Sequence, residues 1–218
     1  MLAYMPRVFS MKTRERPRVL TLEQALGRSE TRVRGLLAEV STLTALLEEA
    51  QRKNALLEKQ AMSDLLTGLG NRAAYESAMK RRASSLARGA EGFSVVFIDI
   101  NGLKTINDTL GHKDGDKLIM SAAGAIKNAI RGSDEAFRIG GDEFVVLLDG
   151  SRSADVFIPR LTGITSSLGN GLTVAIGTAS TSESQFRDLP TEKLVSAILH
   201  EADERMYHMK KAMKEARR

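Results

Sequence analysis

Cysteine is absent from the 218 residues of this chain. Its absence excludes disulfide bonds, thiolate metal sites and cysteine nucleophiles, and it fits a reducing compartment. Acidic residues are scarce at the amino terminus, where the first twenty residues carry five basic side chains against Glu15 alone. This segment therefore accounts for +4 of the formal net charge of +5, and we expect no specific nucleic-acid-binding surface on the rest of the chain.

Long apolar runs are also missing from this amino-terminal segment. Because a signal peptide or a membrane span needs such a run, we expect a soluble, cytoplasmic protein with no transmembrane segment. Residues 1–21 are interpreted as a basic, disordered tail. Contact of its arginines with a membrane surface or another polyanion is a second interpretation.

A heptad pattern at residues 22–62 predicts a coiled-coil stalk. Apolar residues recur at alternating intervals of four and three for more than five repeats. Valine at a positions and leucine at d positions favour a parallel homodimer, and Asn54 at an a position would fix its register. We expect a helix that is firm from about Val33 to Ala61 and frayed before it. A single amphipathic helix packed on its own domain is the alternative.

Two apolar arms flank a turn of two glycines and two carboxylates within residues 136–148. The pattern predicts a β-hairpin with Asp142 and Glu143 at its tip. Gly140 and Gly141 let the backbone approach a bulky anion because they carry no Cβ. The carboxylates would repel a phosphate unless a divalent cation lay between them, which indicates a metal-nucleotide site; a plain polar turn is the alternative.

Another carboxylate, Asp99, lies in the apolar, β-branched run at residues 93–100, which predicts a buried strand. A buried carboxylate is unfavourable by several kcal/mol unless it is paired or bound to a metal. Accepting hydrogen bonds from the following turn is its alternative role. We interpret residues 101–116 as turns and caps, and we expect a helix at about residues 115–131.

The remaining elements follow from shorter patterns. Asn71 is a candidate cap for the helix that begins after it. Residues 151–168 predict a short helix broken at Pro159, and residues 172–177 predict a strand. Thr191 opens the last helix, whose apolar stripe includes several methionines that fill the core.

Taken together, residues 64–72, 99–116 and 140–144 resemble the GGDEF family of diguanylate cyclases, bacterial enzymes that join two GTP molecules into the signalling nucleotide cyclic di-GMP. The resemblance runs from about Met62 to the carboxyl terminus, with the motifs in family order and spacing. It implies an α/β (α+β) domain at residues 63–218, similar to nucleotide cyclases and polymerase palms, with a central, mainly antiparallel sheet behind an N-terminal coiled-coil helix. It also implies a nucleotidyltransferase that releases two pyrophosphates.

The resemblance implies two Mg²⁺ ions per active site, for which Mn²⁺ can substitute, because in-line attack of a 3′-hydroxyl on an α-phosphate needs bridging cations. The matching positions make Asp99 and Asp142 the carboxylate ligands, assisted by the Ile100 carbonyl and Glu143. Asp142, Glu143 and Lys210 are the candidate catalytic residues. The acceptor of the hydroxyl proton stays open between Asp142, Glu143 and a metal-bound water.

The matching substrate-binding positions are Lys104, Asn107, Asp116, Gly140, Gly141 and Lys210. The two glycines would lie along the triphosphate, and the two lysines would contact its β and γ oxygens. Guanine presents adjacent N1–H and N2–H donors that a carboxylate accepts together, so Asp116 with Asn107 favours GTP over ATP.

Arg131 and Asp134 form an RxxD pattern that five residues separate from Gly140. Many family members bind their product at this pattern, so the resemblance implies allosteric feedback inhibition by cyclic di-GMP. Arginine stacks on guanine or forks to it, and aspartate accepts hydrogen bonds from N1 and N2. An exposed ion pair in a turn is the alternative.

The sequence departs from the family pattern at residues 101–103, which read Asn-Gly-Leu where Asp-His-Phe is common, and at Lys214, where many members carry arginine. Lys214 keeps the charge but loses the bidentate fork. Two other functions compete with an active homodimeric cyclase: a degenerate member that only senses GTP or cyclic di-GMP, and a scaffold whose coiled coil is the working part. The intact candidate site residues favour the cyclase.

Overall fold

The computed structural model describes residues 21–150, 153–168, 171–186 and 189–216. The predicted basic tail, apart from Thr21, lies outside these residues. The chain divides into two compact units, Met1–Ala55 and Leu56–Arg218. Within the described ranges, no helix is both long enough and apolar enough to cross a membrane.

Helix α1 runs without interruption from Leu22 to Ala61, so the predicted fraying before Val33 is not observed. A capping box explains the early start: Gln24 N donates to Thr21 Oγ1 at 3.4 Å, and Thr21 N donates to Gln24 Oε1 at 3.3 Å. The apolar seam of this helix is exposed in the single chain, with Val33 50% and Leu22 90% accessible. Its pairing with a second copy stays a prediction.

Four antiparallel strands form the central sheet in the order β2-β3-β1-β4. The strands are β1 at Phe93–Ile100, β2 at Glu135–Arg138, β3 at Glu143–Asp149 and β4 at Val174–Ser180. Strand β1 lies between β3 and β4, and its pairing with β3 places Asp99 opposite Glu143. The predicted α/β class with an antiparallel sheet is therefore confirmed.

Helices cover both faces of the sheet. They are α2 at Arg72–Ala87, α3 at Leu103–Leu110, α4 at His112–Ala129, α5 at Ala154–Ser167 and α6 at Thr191–Glu215, with a 3₁₀ turn at Ser184–Phe186. Ile98 of β1 packs in the core layer formed with α4 and α5, whereas Val95 packs in the layer formed with α2 and α6. This alternation places Asp99 on the α6 face.

Two local predictions are wrong. Helix α5 continues through Pro159, because the burial of Phe157 and Leu161 outweighs the one backbone hydrogen bond that proline removes. The polar segment at residues 101–116 forms α3 and the first turn of α4 instead of turns and caps. Gly111, with φ of 91°, separates the two helices, since that backbone conformation is unfavourable for other residues.

Candidate active site

Asp99 lies near the carboxyl end of β1 and is only 3% exposed. Lys210 of α6 donates from Nζ to Asp99 Oδ2 at 2.6 Å. The other carboxylate oxygen, Oδ1, is the one buried side-chain polar atom without a hydrogen-bond partner in the part of the chain that the structure describes. An unsatisfied buried acceptor is unfavourable by about 1–3 kcal/mol, so this oxygen is suited to a cation.

Asp142 brings a second negative charge to this point. The hairpin holds it there through its main chain, because Ile100 N donates to Asp142 O at 3.0 Å. Burial raises the pKa of the Asp99 carboxyl above its ordinary value, the hydrogen bond from Lys210 opposes that rise, and the neighbouring Asp142 charge adds to it. The structure thus brings together the two carboxylates predicted to bind metal, and Lys210 neutralises only part of their charge.

Glu143 folds back over the hairpin. Its Cβ and Cδ each lie 3.2 Å from the position that a Cβ on Gly140 would occupy. Its side chain lines a cavity of about 370 Å³ together with Arg72 and His200. Among the described residues, no group of three histidine, cysteine, aspartate or glutamate side chains could hold a metal ion. The role of Glu143 as a third acidic ligand therefore stays a prediction.

The hairpin is held by arginines that the sequence analysis did not single out. Arg138 donates to Gly141 O at 2.8 Å and to both carboxylate oxygens of Asp64 at 3.3 Å. Arg72 donates from Nη2 and Nε to Ile139 O at 2.7 and 3.1 Å. Asp64 and Arg72 lie in a segment that carries the family resemblance, and that was the only signal for them.

Asp64 belongs to the turn that follows α1. Burial alone would raise the pKa of its carboxyl, but the hydrogen bonds from Thr67 and the charge of Arg138 prevail and lower it. The same turn pairs with the edge of β2, since Gly70 N donates to Ala136 O at 3.1 Å and Arg138 N donates to Gly70 O at 2.8 Å. The segment that follows α1 is thereby hydrogen-bonded to the strand that leads into the hairpin.

The candidate base-reading residues lie on α3 and α4. The Cγ of Asn107 is 2.9 Å from the position of a Cβ on Gly115, so its amide lies on the backbone of the residue that precedes Asp116. Asp116 itself is exposed. Lys104 is also exposed, and it lies on α3 one turn before Asn107. Asn107 therefore packs on α4 at the residue next to Asp116 in sequence, and Lys104 lies on the same helix as Asn107.

Of the two lysines predicted to contact phosphate, Lys104 lies on α3 and Lys210 lies on α6. Lys210 and Lys214 are four residues apart and share a helix face. Together with Tyr207 and Lys211 they line a cavity of about 360 Å³. Lys210 pairs with Asp99 in this structure, so its predicted contact with phosphate requires that pairing to open.

The RxxD residues lie in the turn between α4 and β2. Asp134 accepts hydrogen bonds from Arg131 N at 2.8 Å and from Asp149 N at 3.1 Å. Asp149 ends β3, whereas Glu143 begins it. At 3.3 Å per residue, this puts the RxxD turn roughly 20 Å from the carboxylate pair. The two predicted binding sites are therefore separate.

Comparison of the sequence with known proteins finds the same family that the motifs resemble. The family model described as "Diguanylate cyclase, GGDEF domain" matches residues 61–216. The chain is 34% identical over 159 residues to the diguanylate cyclase DgcS of Shewanella oneidensis, covering 71% of this chain and 51% of DgcS. It is 35% identical over 201 residues to the diguanylate cyclase TpbB of Pseudomonas aeruginosa, covering 84% of this chain and 45% of TpbB. The chain thus spans about half the length of these curated relatives.

A solved structure resembles the fold over a similar range. The coiled coil and GGDEF domain of DgcB from Caulobacter crescentus, crystallised in complex with c-di-GMP, aligns with a TM-score of 0.67 at 24% identity. The alignment covers 81% of this chain and 95% of that one. At this level of identity the likeness shows the fold alone.

Proposed function

This chain belongs to the GGDEF family of diguanylate cyclases, and from that premise we propose that it condenses two GTP molecules into cyclic di-GMP with release of two pyrophosphates. One observation supports an active member above all. Asp99 is buried beside Asp142 with one oxygen unpartnered, an arrangement that is unfavourable unless a cation binds. A location in the cytoplasm stays a prediction from the sequence.

The donor set fits magnesium. Asp99, Asp142 and the carbonyl of Ile100 supply oxygen ligands, which Mg²⁺ prefers, and Glu143 is proposed as a further ligand. When bound, two Mg²⁺ ions would offset the charge of the triphosphate and align the attacking and leaving oxygens. We propose two ions per site, with Mn²⁺ as a substitute.

The side chains around this pair would bind and orient GTP. With a cation on Asp99, the ammonium group of Lys210 would be free to contact the β and γ phosphates, as Lys104 would from α3. The main chain of Gly140 and Gly141 would lie along the triphosphate. Asp116 would accept hydrogen bonds from guanine N1 and N2, with Asn107 beside it.

A dimer is part of the proposal because the product is a ring made from two identical halves. Each active site would hold one GTP, so two copies must face each other. The exposed apolar seam of α1 suits parallel pairing of two stalks. The proposal also divides the chain into a tail at residues 1–21, a stalk at 22–62 and a cyclase domain at 63–218.

Feedback inhibition would act at the RxxD turn. Hydrogen bonds from two main-chain N–H groups fix the Asp134 carboxylate, while the Arg131 side chain is exposed. Cyclic di-GMP presents guanine edges and phosphates that suit this pair. Because the turn lies far from the carboxylate pair, bound product would act at a distance.

Incubation of the pure full chain with GTP and Mg²⁺, followed by chromatography, tests the proposal. Cyclic di-GMP and pyrophosphate should accumulate, and chelation of the metal should stop the reaction. GTP binding without any product would favour a nucleotide sensor. A chain that neither binds GTP nor converts it would favour the scaffold.

A further inference from the structure

We infer that Gly115, in the first turn of α4, determines base specificity by keeping the amide of Asn107 in its reading position. The inference rests on the proposed function, since it concerns the guanine pocket of that reaction. Gly115 is a positioning residue: it has no side chain to touch the base, and it acts through Asn107.

The space beside Gly115 is already filled. A Cβ built on this buried residue would lie 2.9 Å from Asn107 Cγ, nearer still to its Oδ1, and 3.3 Å from Leu103 Cδ1. Real Cβ atoms essentially never approach another heavy atom within 3.0 Å. Any side chain at position 115 must therefore displace the amide.

Backbone conformation does not explain this glycine. Gly115 is not among the glycines with positive φ, and it lies inside a regular helix where alanine is the better helix former. What position 115 requires is room for the neighbouring amide. Glycine lowers helix propensity at position 115, where Asn107 packs against α4.

A change at position 115 would affect base recognition because the next residue in the chain is Asp116. Asn107 lies against Gly115, and the next residue is Asp116, the proposed acceptor for guanine N1–H and N2–H. An amide offers both donors and an acceptor, so its position next to the carboxylate defines which base edge fits. Asn107 is half-buried and its side chain can rotate, so a methyl group at position 115 would move the amide without unfolding the domain.

The variant Gly115→Ala tests the inference, with kcat and KM measured for GTP and for ATP. We expect KM for GTP to rise at least tenfold and the preference for GTP over ATP to fall at least tenfold, while the melting temperature stays the same or rises. Gly124→Ala in the same helix is the matched control, because nothing lies within 4 Å of its Cβ position. It should raise the melting temperature and leave both kinetic constants unchanged.

A double-mutant cycle separates this role from a structural one. If Gly115 acts through Asn107, Gly115→Ala should have no further effect on GTP preference in an Asn107→Ala background, where the colliding atoms are absent. Effects that add, or an unaltered GTP preference in the single variant, would overturn the inference alone. A wild-type chain that neither binds GTP nor forms cyclic di-GMP would overturn the proposed function and the inference with it.

Discussion

Asp99 carries a buried charge that Lys210 compensates at only one of its two oxygens. Such a site is poorly suited to a purely structural role, because a carboxylate retained for stability should have donors on both oxygens. A cation at Oδ1 would satisfy the remaining oxygen and offset the repulsion from Asp142. The site would therefore be destabilising when empty and stabilising when a cation binds.

Asp99→Asn should abolish the stabilisation that a bound cation gives at this site. Product formation should fall roughly 10³-fold, because the variant loses a charged metal ligand. Calorimetry adds a readout that does not depend on activity: Mg²⁺ at one hundred times its dissociation constant should stabilise the wild type by about 2.7 kcal/mol and leave the variant unchanged. Equal stabilisation of both proteins by Mg²⁺ would place the cation elsewhere.

Arg131 provides a second prediction at the scale of single residues. Arg131→Ala should weaken cyclic di-GMP binding at least tenfold and relieve product inhibition, with the initial rate unchanged because the turn lies far from the carboxylates. Binding is measured by titration calorimetry, and inhibition by adding product to the assay. Arg88→Ala, which removes another exposed arginine, is the control. Product inhibition that survives in the Arg131 variant would contradict the RxxD assignment.

At the scale of elements, the hairpin depends on the turn that follows α1. Arg138 joins the two, since it donates both to Gly141 O and to the carboxylate of Asp64. The edge pairing of Gly70 with β2 adds a backbone connection. The carboxylate of Asp142 is thus placed by a network that includes a segment more than seventy residues earlier in the chain.

Asp64→Asn should weaken this network in a pH-dependent way. The pKa of Asp64 is lowered in the folded chain, so its carboxylate stabilises the fold above its unfolded pKa near 3.8, and the gain is lost as pH falls through the folded pKa. Denaturant unfolding at pH 7 should show the variant less stable by roughly 1–2 kcal/mol. The two proteins should converge as the pH falls below the lowered, folded-state pKa of Asp64. A difference that stays constant as the pH falls from 7 through the acid unfolding range would count against the ion pair.

Local sequence patterns predicted the elements whose structure depends mainly on neighbouring residues. The apolar, β-branched run at 93–100 is β1 residue for residue, and Asn71 caps α2 by accepting from Ala74 N at 3.1 Å. The pattern failed at Pro159, where burial of the neighbouring side chains outweighs the helix-breaking residue. Packing energy of this kind depends on the whole fold and has no local signature.

The site residues also divide into those with a local sequence signal and those that depend on the whole fold. The carboxylates of Asp99 and Asp142 could be selected because charge on a buried strand and at a glycine turn is anomalous in sequence. The bond between Arg138 and Asp64 joins residues 74 apart, and the contact of Asn107 with Gly115 depends on how α3 packs on α4. Neither has a spacing rule, so only the three-dimensional structure reveals them.

At the scale of the whole molecule, the proposed stalk would link activity to assembly. A cyclase that joins two nucleotides held by two copies should slow when the copies separate. Asn54→Lys places like charges opposite each other in the seam and should raise the dimer dissociation constant at least tenfold, with a matching loss of activity at low protein concentration. Sedimentation measures the first and product formation the second.

Ala45→Lys is the control for this variant, since position 45 lies on the side of the heptad opposite the seam. It adds the same charge and should leave both assembly and activity intact. Full activity of the Asn54 variant at concentrations where sedimentation shows only monomer would remove the stalk from the mechanism.

The most direct measurement is a crystal structure of the chain with Mn²⁺ and a non-reacting GTP analogue, with the cation located by anomalous scattering. The account predicts a manganese peak about 2.0–2.2 Å from Asp99 Oδ1 and bonded also to Asp142, with Lys210 turned towards the phosphates. A nucleotide bound with no metal at these carboxylates, or with the Lys210–Asp99 pair still closed, would contradict it.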